Sequence, residues 1–346
     1  MQVINKAGIG RKNSLVLVHI RKHSIEFWLI ILIGFISSCI SFLLTISIGE
    51  FFSLQFQTGS SKSRLFLMLG LHLNTMQEFL FLYVILIVAK GLMTYLENIG
   101  SYRLGESWVK DLREKIFTAQ LDWPASGTLK RSYGKYLLRY SNDMKSVQQY
   151  LTKGILDAIK NVLFLLTGLF ILYKIHPLTT GLLIMLLSII GVIVYFLFRY
   201  QKPFIQSSRT SRSSLLAYVA KSFSGVEKIK HLNKELATAE QFQRRSETLF
   251  HANMRVNKFS SIIQSSSVFL IFAAIGILLW QMTFQYLRIN ASDGFLIVLI
   301  ILLLQGALRR ILKVTGYLNK GKISLNKIEK LLQEPVSEVG SMQEVS

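Results

Sequence analysis

The sequence predicts an all-α membrane protein with six transmembrane helices and long helical extensions on one side of the bilayer. Three observations carry that prediction. Of 346 residues, 51% are hydrophobic and only 17% are charged, against about 25% charged residues in a typical soluble domain. Several charge-free runs are long enough to cross about 30 Å of hydrocarbon, which takes about 20 helical residues. The basic residues, finally, are concentrated in alternate segments between those runs. Lipid offers the backbone no hydrogen-bond partners, and the runs lack the two-residue alternation of a membrane barrel, so helices are required.

The elements follow in order. Residues 14–28 set Leu15, Val18 and Ile25, with Leu17 and Ile20 half a turn away, among Arg21, Lys22 and His23. That amphipathic pattern suits a helix lying in the inner interface. No small-residue cleavage site follows the first apolar run, so the run is expected to stay in the membrane. The spans are predicted at residues 27–49, 79–96, 161–173, 177–198, 259–287 and 294–308, and only the second contains a charge, Lys90. The third and sixth are short; Lys160 and Lys174 are expected to snorkel from the ends of the third, and Arg309 from the end of the sixth. The single cysteine, Cys39, lies inside the first span, which excludes an intrachain disulfide and predicts a small buried thiol.

Thirty-five of the 40 lysines and arginines fall in the N-terminal segment, the second-to-third and fourth-to-fifth connections, and the C-terminal segment. The positive-inside rule then places both termini in the cytoplasm of a multi-pass integral protein, with a bacterial inner membrane the expected location. The net charge of +21 is not read as nucleic-acid binding, because it tracks the membrane boundary and no zinc-finger, RNP-like or basic-zipper pattern accompanies it. Anionic lipid headgroups are the expected partners of that charge. Among six histidines only His19 and His23 share an i, i+4 spacing that two metal ligands could use. No neighbouring Cys, Asp or third His completes a site, so no metal is expected.

The outer connections are short except for residues 50–78, which include the flexible run GSSKS at 59–63. Two inner connections of roughly sixty residues are neither low-complexity nor rich in Pro and Gly, and both read as helix. Residues 102–121 bring Leu104, Trp108, Leu112, Ile116 and Phe117 onto or near one stripe, and residues 214–250 show similar spacing. Spans two to five are therefore expected to continue beyond the bilayer as two helical hairpins, each turning roughly 35–40 Å out at 1.5 Å per residue. A tip so placed can contact a soluble partner and pass its movement to the spans. The expected division is residues 1–24 as an N-terminal segment with its interfacial helix, 25–323 as the transmembrane body with both hairpins, and 324–346 as a C-terminal tail.

The connecting segments carry recognisable motifs. Leu112, Arg113, Ile116 and Phe117, followed by Leu121 and Pro124, resemble an "LR-x-x-[IL]-F … L-x-x-P" segment, and Gly134, Leu137, Arg139, Asp143 and Val147 continue it. In the second connection Ser222, Phe223, Gly225, Ile229, Lys230, Asn233, Glu235 and Phe242 resemble an "E-S-L-x-G-I-x-x-[IV]-K … E … F" segment. In order and spacing, over nearly the whole chain, these resemble the six-helix membrane domain of exporter-type ABC transporters. The resemblance implies that the turns at 125–132 and 213–223 are coupling helices seated in grooves of an ATPase. Ala125, Ser126, Gly127, Thr128, Leu129, Lys130 and Ser132 would serve at the first tip, and Tyr218, Lys221, Ser222 and Phe223 at the second. Arg113, Gly134, Arg139, Asp143, Gly225 and Lys230 would be the stalk residues. It also implies a homo- or heterodimer enclosing an alternating-access cavity. The usual Glu before Ser-Leu is Lys221 here, which bears on how the second tip meets its partner. Helix packing without any partner is the bland alternative for all these positions.

Ser324, Ile328, Leu331, Leu332, Glu334 and Pro335 resemble the stretch that leads into the nucleotide-binding domain of fused half-transporters. No G-x-x-x-x-G-K-[ST] motif occurs in the sequence, so this chain is not expected to bind or hydrolyse ATP; ATP and Mg²⁺ are expected on a partner subunit or domain. Lys90 is the one pathway candidate. It can attract an anionic headgroup, bridge a dimer, or, the favoured reading, snorkel to the inner face. No carboxylate lies deep in a span, which counts against a proton-driven peptide carrier with an exporter-like fold. A non-transporting scaffold is the third reading.

Overall fold

The computed structural model describes residues 14–56, 76–121, 139–283 and 291–333. Among them every element is helical, and six helices are long and apolar enough to cross a membrane. The predicted outer loop at 59–63 and the first inner tip lie outside the described residues.

Helix α1 (Ser14–Lys22) is separated from α2 (Ser24–Phe56) by a single turn residue, His23. The bonds His23 N–H to His19 O and Phe27 N–H to His23 O, both 3.0 Å, carry the ladder across that turn. The interfacial helix is therefore shorter than the predicted 14–28, because the pattern after His23 already belongs to the first span. Within α2 the hydroxyls of Ser38, Ser41, Thr45 and Ser47 donate to carbonyls four residues back at 2.7–3.0 Å. An apolar span thus tolerates four hydroxyls without demanding outside partners. Cys39, expected to be buried, is half-buried.

Helix α3 (Met76–Leu121) runs unbroken for 46 residues, about 69 Å at 1.5 Å per residue. It is far longer than a bilayer requires, so the second span does continue as a stalk. Helix α4 covers residues 139–175. Wide π-helical turns at Arg139–Asp143 and Tyr150–Leu156 flank Met144–Gln149, and Asp157–Ile175 completes it. Helix α5 (Pro177–Ser224) opens with Pro at its first position, and the His176 ring accepts from Thr179 N–H at 3.3 Å. Its interior Pro203 removes the bond to the carbonyl of residue 199. Helices α6 (Val226–His231), α7 (Glu235–Thr283) and α8 (Ala291–Gln333) complete the chain.

Two compact units result, residues Met1–Ile175 with Arg288–Ser346, and His176–Leu287. The first contains α1 to α4 and α8. Its stalk core joins Phe27, Ile30 and Ile31 of α2 to Leu104, Trp108, Leu112 and Ile116 of α3, Met144, Val147 and Leu151 of α4, and Leu325 and Ile328 of α8. Four of the five predicted stripe residues are therefore core. Phe117 is 56% exposed, since one step past Ile116 turns the side chain about 100° around the helix. Helices cross closely at several glycines, Gly168 and Gly321 among them. A Cβ on Gly168 would come within 2.5 Å of Leu304 Cδ2 and 2.9 Å of Phe42 Cζ, and one on Gly321 would collide with Tyr150 Cβ.

The second unit pairs α5 with α7. Gln201, 3% exposed, donates its amide to Val256 O at 3.0 Å and Ser260 Oγ at 2.7 Å. Ser208 Oγ donates to Asn253 Oδ1 at 2.6 Å and Tyr218 OH to Thr238 O at 2.9 Å. Partner numbers fall on one helix as they rise on the other, which fixes an antiparallel register. Phe204 and Phe259 stack at 5.2 Å beside Gln201, so the two helices are zipped by alternating apolar and polar contacts.

Candidate functional site

The second hairpin reverses at residues 225–234, after the predicted turn at 213–223, which instead forms the end of α5. Leu215, Leu216, Ala217, Ala220 and Lys221 favour helix, and the first glycine after them is Gly225. Helix α6 then stops by a Schellman motif. Asn233 adopts φ 49°, Lys234 N–H donates to Ile229 O at 3.0 Å, and Asn233 N–H to Lys230 O at 3.1 Å. Asn is among the few residues that accept this left-handed position. Gly225 has φ −118°, so nothing in its backbone requires glycine.

The predicted second-tip residues divide. Phe223 is 74% exposed, Lys221 is exposed and Ser222 half-buried. Tyr218 is committed within the hairpin: besides its bond to Thr238 O, its ring carries the Arg245 guanidinium at 4.9 Å, and Arg245 Nη1 donates to Ser214 Oγ at 2.6 Å. Tyr218 therefore holds α5 to α7. Leu232 and Leu236, which sequence reasoning passed over, are 62% and 83% exposed beside the reversal. The first-tip residues Ala125, Ser126, Gly127, Thr128, Leu129, Lys130 and Ser132, and the stalk residue Gly134, lie outside the described residues.

Of the other stalk residues, Arg113 and Lys230 are exposed and Arg139 begins α4. Asp143 has a defined job. Its Oδ1 accepts from Ser324 Oγ at 2.8 Å and lies 3.6 Å from Lys327 Nζ. Two motif segments 181 residues apart thus meet, and the end of α8 is clasped onto the first stalk, with Ile328 fully buried.

Inside the membrane-spanning region a polar network appears that the sequence did not announce. Lys90 Nζ donates to Ser37 O at 2.9 Å and to Ser37 Oγ at 2.7 Å. It joins α3 to the middle of α2, so the snorkelling reading is not the observed one. Lys160, expected to snorkel, is instead 9% exposed and pairs with Glu97 Oε1 at 2.8 Å and Asp157 Oδ1 at 3.0 Å. A carboxylate within reach outweighs extension to the interface. Asn161 Oδ1 accepts from Arg310 Nε at 2.7 Å. Glu97 follows Lys90 by seven residues, so both face the same side of α3; that spacing was the available signal.

Where α1 meets the α3 stalk, His19 is 4% exposed and stacks on Trp108 at 5.9 Å. Burial holds its imidazole below the ordinary range, His23 acts in the same sense, and Asp111 partly offsets them. The Leu104 carbonyl also opposes the shift, yet the ring's Nε2 makes no hydrogen bond of ordinary geometry. Asp111 Oδ2 lies 3.2 Å from Lys22 Nζ.

Comparison with known proteins places this geometry in context. The family described as ABC transporter transmembrane region matches residues 27–308. An ATP-dependent lipid A-core flippase of Pseudoalteromonas translucida (strain TAC 125) is 23% identical over 263 residues, 74% of this chain and 44% of that protein. The protein of the same name from Nitrosococcus oceani is 23% identical over 264 residues, 75% of this chain and 44% of its own. A multidrug efflux ATP-binding/permease protein of Mycobacterium bovis is 24% identical over 181 residues, 51% of this chain and 15% of that protein. The chain spans under half the length of these curated relatives.

Proposed function

The chain belongs to the ABC transporter transmembrane region family, and from that premise we propose that it forms one half of an alternating-access exporter driven by ATP hydrolysed on a nucleotide-binding partner. The carrying observation is the second hairpin tip. Helix α5 runs from residue 198 to Ser224 beyond the predicted span, about 39 Å at 1.5 Å per residue. At its end Phe223, Leu232 and Leu236 are all more than 60% exposed. Apolar side chains held so far from hydrocarbon favour a soluble partner with an apolar groove, and the exposed Lys221 would set the charge of that contact. Residues 25–323 act as the transmembrane body in this reading, with 1–24 and 324–346 flanking it.

The pathway is completed by a second transmembrane domain, identical or not, and ATP with Mg²⁺ sits on the partner. The distribution of basic residues supports cytoplasmic termini, and the bacterial relatives support an inner-membrane location. An amphiphilic, lipid-like substrate is favoured over a peptide-like one, because two relatives are named as lipid A-core flippases and because Lys90 offers a cation inside the spans. The proton-driven alternative needs a carboxylate free to titrate; among the described residues Glu97, next to the predicted second span, is a candidate, and its pairing with Lys160 argues against that use.

The experiment is purification from native membranes of the wild type and of Phe223→Asp with Leu232→Asp. An ATP-binding subunit should accompany the wild type and be lost, with ATP-driven lipid movement, from the variant, while the membrane domain still assembles. A dimer without any ATPase, whose transport collapses with a protonophore, would overturn the reading.

A further inference from the structure

We propose that His19, His23 and Asp111 bind a divalent transition cation of the zinc class, which clamps α1 onto the stalk of α3. One ligand atom from each residue lies within 4.8 Å of the others. The i, i+4 spacing brings the two rings to 4.7 Å, and His19 Nδ1 stands 3.7 Å from Asp111 Oδ2. At metal–ligand distances of about 2.0–2.2 Å, tetrahedral ligand atoms sit roughly 3.3–3.6 Å apart, so the widest pair must close by up to about 1.5 Å. His19 is fixed against Trp108. His23 and Asp111, 22% and 27% exposed, have room to turn inward.

A second observation is independent of that clustering. The Nε2 atom of His23 is buried without a hydrogen-bond partner, and that of His19 has none of ordinary geometry, only the approach of the Leu104 carbonyl. Native structures rarely leave a buried polar atom unsatisfied, and two adjacent imidazoles in that condition call for a ligand. The donor set chooses its class. Two neutral imidazoles and one carboxylate suit zinc and its neighbours rather than Mg²⁺ or Ca²⁺, which prefer oxygen. An adjoining cavity of about 320 Å³, lined by Leu15, Val18, His19, Lys22, Trp108 and Asp111 among others, gives an entry path. Glu26, with Oε2 3.6 Å from His23 Nδ1, stands beside the site as a further oxygen donor.

One contact opposes the cation. Lys22 Nζ holds Asp111 Oδ2 at 3.2 Å, and binding must displace it. The Lys22 side chain is 63% exposed, and a surface ion pair of that kind is weak. The proposal therefore makes an asymmetric prediction: the ligands support binding, whereas Lys22 competes with it. It does not rest on the transport reading above, because the clamp lies within one chain.

The test uses the full chain in detergent, without a polyhistidine tag and stripped with EDTA. Zn²⁺ binding is measured by competition with a chromophoric chelator, and Co²⁺ absorption reports the ligand field on the wild type itself. One site per chain is expected, with a tetrahedral or five-coordinate Co²⁺ spectrum and no response to Mg²⁺. His23→Gln and Asp111→Asn should each weaken binding by about tenfold or more, the scale of losing an interaction that tunes a metal site. Lys22→Met should tighten it, and His251→Gln, remote in sequence and exposed, should leave it unchanged. Absence of a saturable site on the wild type, an octahedral all-water spectrum, or weaker binding by Lys22→Met would overturn the proposal.

Discussion

Replacing Lys160 by Met tests the buried ion pair that joins α4 to α3. Methionine keeps most of the aliphatic stem, which fills the space beside Gly34, where Lys160 Cδ lies 2.8 Å from the position of an added Cβ. What disappears is the ammonium between Glu97 and Asp157. Removing one partner of a buried pair costs about 3–5 kcal/mol, because the other charge stays desolvated. The Glu97 side chain is 20% exposed and Lys160 10%, so the lower end, about 3 kcal/mol, is expected. Glu97→Gln alone should cost less, about 1–2 kcal/mol, since its amide oxygen still accepts a hydrogen bond. The double variant should be more stable than the two single losses add to, with a coupling of about 1–3 kcal/mol. The assay is unfolding in mixed detergent micelles with increasing SDS, supported by the thermal midpoint, which should fall for Lys160→Met by about 6 °C or somewhat less for a chain of this length. A Lys160→Met protein that unfolds with the wild type, or a cycle whose coupling is zero, would refute the pairing.

Four further predictions rest on local geometry. Gly321→Ala should destabilise by about 1–3 kcal/mol, since the new methyl meets Tyr150 Cβ and no rotamer relieves it. Gly316→Ala on the same helix, with nothing within 4 Å, should be neutral or stabilising by up to about 1 kcal/mol in the same unfolding assay. Asn233→Ala should loosen the hairpin reversal by about 1 kcal/mol and raise amide exchange at residues 229–234, whereas Asn233→Gly should not. Lys90→Met should leave stability within about 1 kcal/mol of wild type, because it removes a desolvated charge along with its bonds to Ser37. It should nevertheless lower transport of an anionic amphiphile in proteoliposomes.

Length and freedom from charge made the first, fourth and fifth spans legible, whereas the second carries Lys90 and the third and sixth are short and were read with their basic flanks. The α3 stripe was legible because burial on one helix face repeats every three to four residues, as at Leu104, Trp108, Leu112 and Ile116. Phe117 shows the limit, since periodicity defines a stripe only to within one step. Lys160 was read alone, as a charge at the end of a span, and Glu97 was passed over, because nothing local announces that residues 63 apart will meet. A still larger separation in sequence hid Asp111 from His19 and His23. The place of the second reversal depended on whether residues 213–223 would fray or stay helical, which propensity alone does not decide; the first tip lies outside the described residues.

Pro203 gives α5 a mechanical character different from that of α3. Helix α3 has no proline in 46 residues and every interior carbonyl can be bonded, so it behaves as a stiff strut. Helix α5, of similar length, carries a missing ladder bond between its apolar half and its polar half. A displacement applied at the far end of α3 reaches its other end nearly undiminished, whereas one applied to α5 can be absorbed as bending at residue 203. Gln201, locked to Val256 and Ser260 beside that joint, limits the bending to directions in which α7 follows. Within the paired helices α5 and α7, residue 203 is therefore a point at which bending can be taken up.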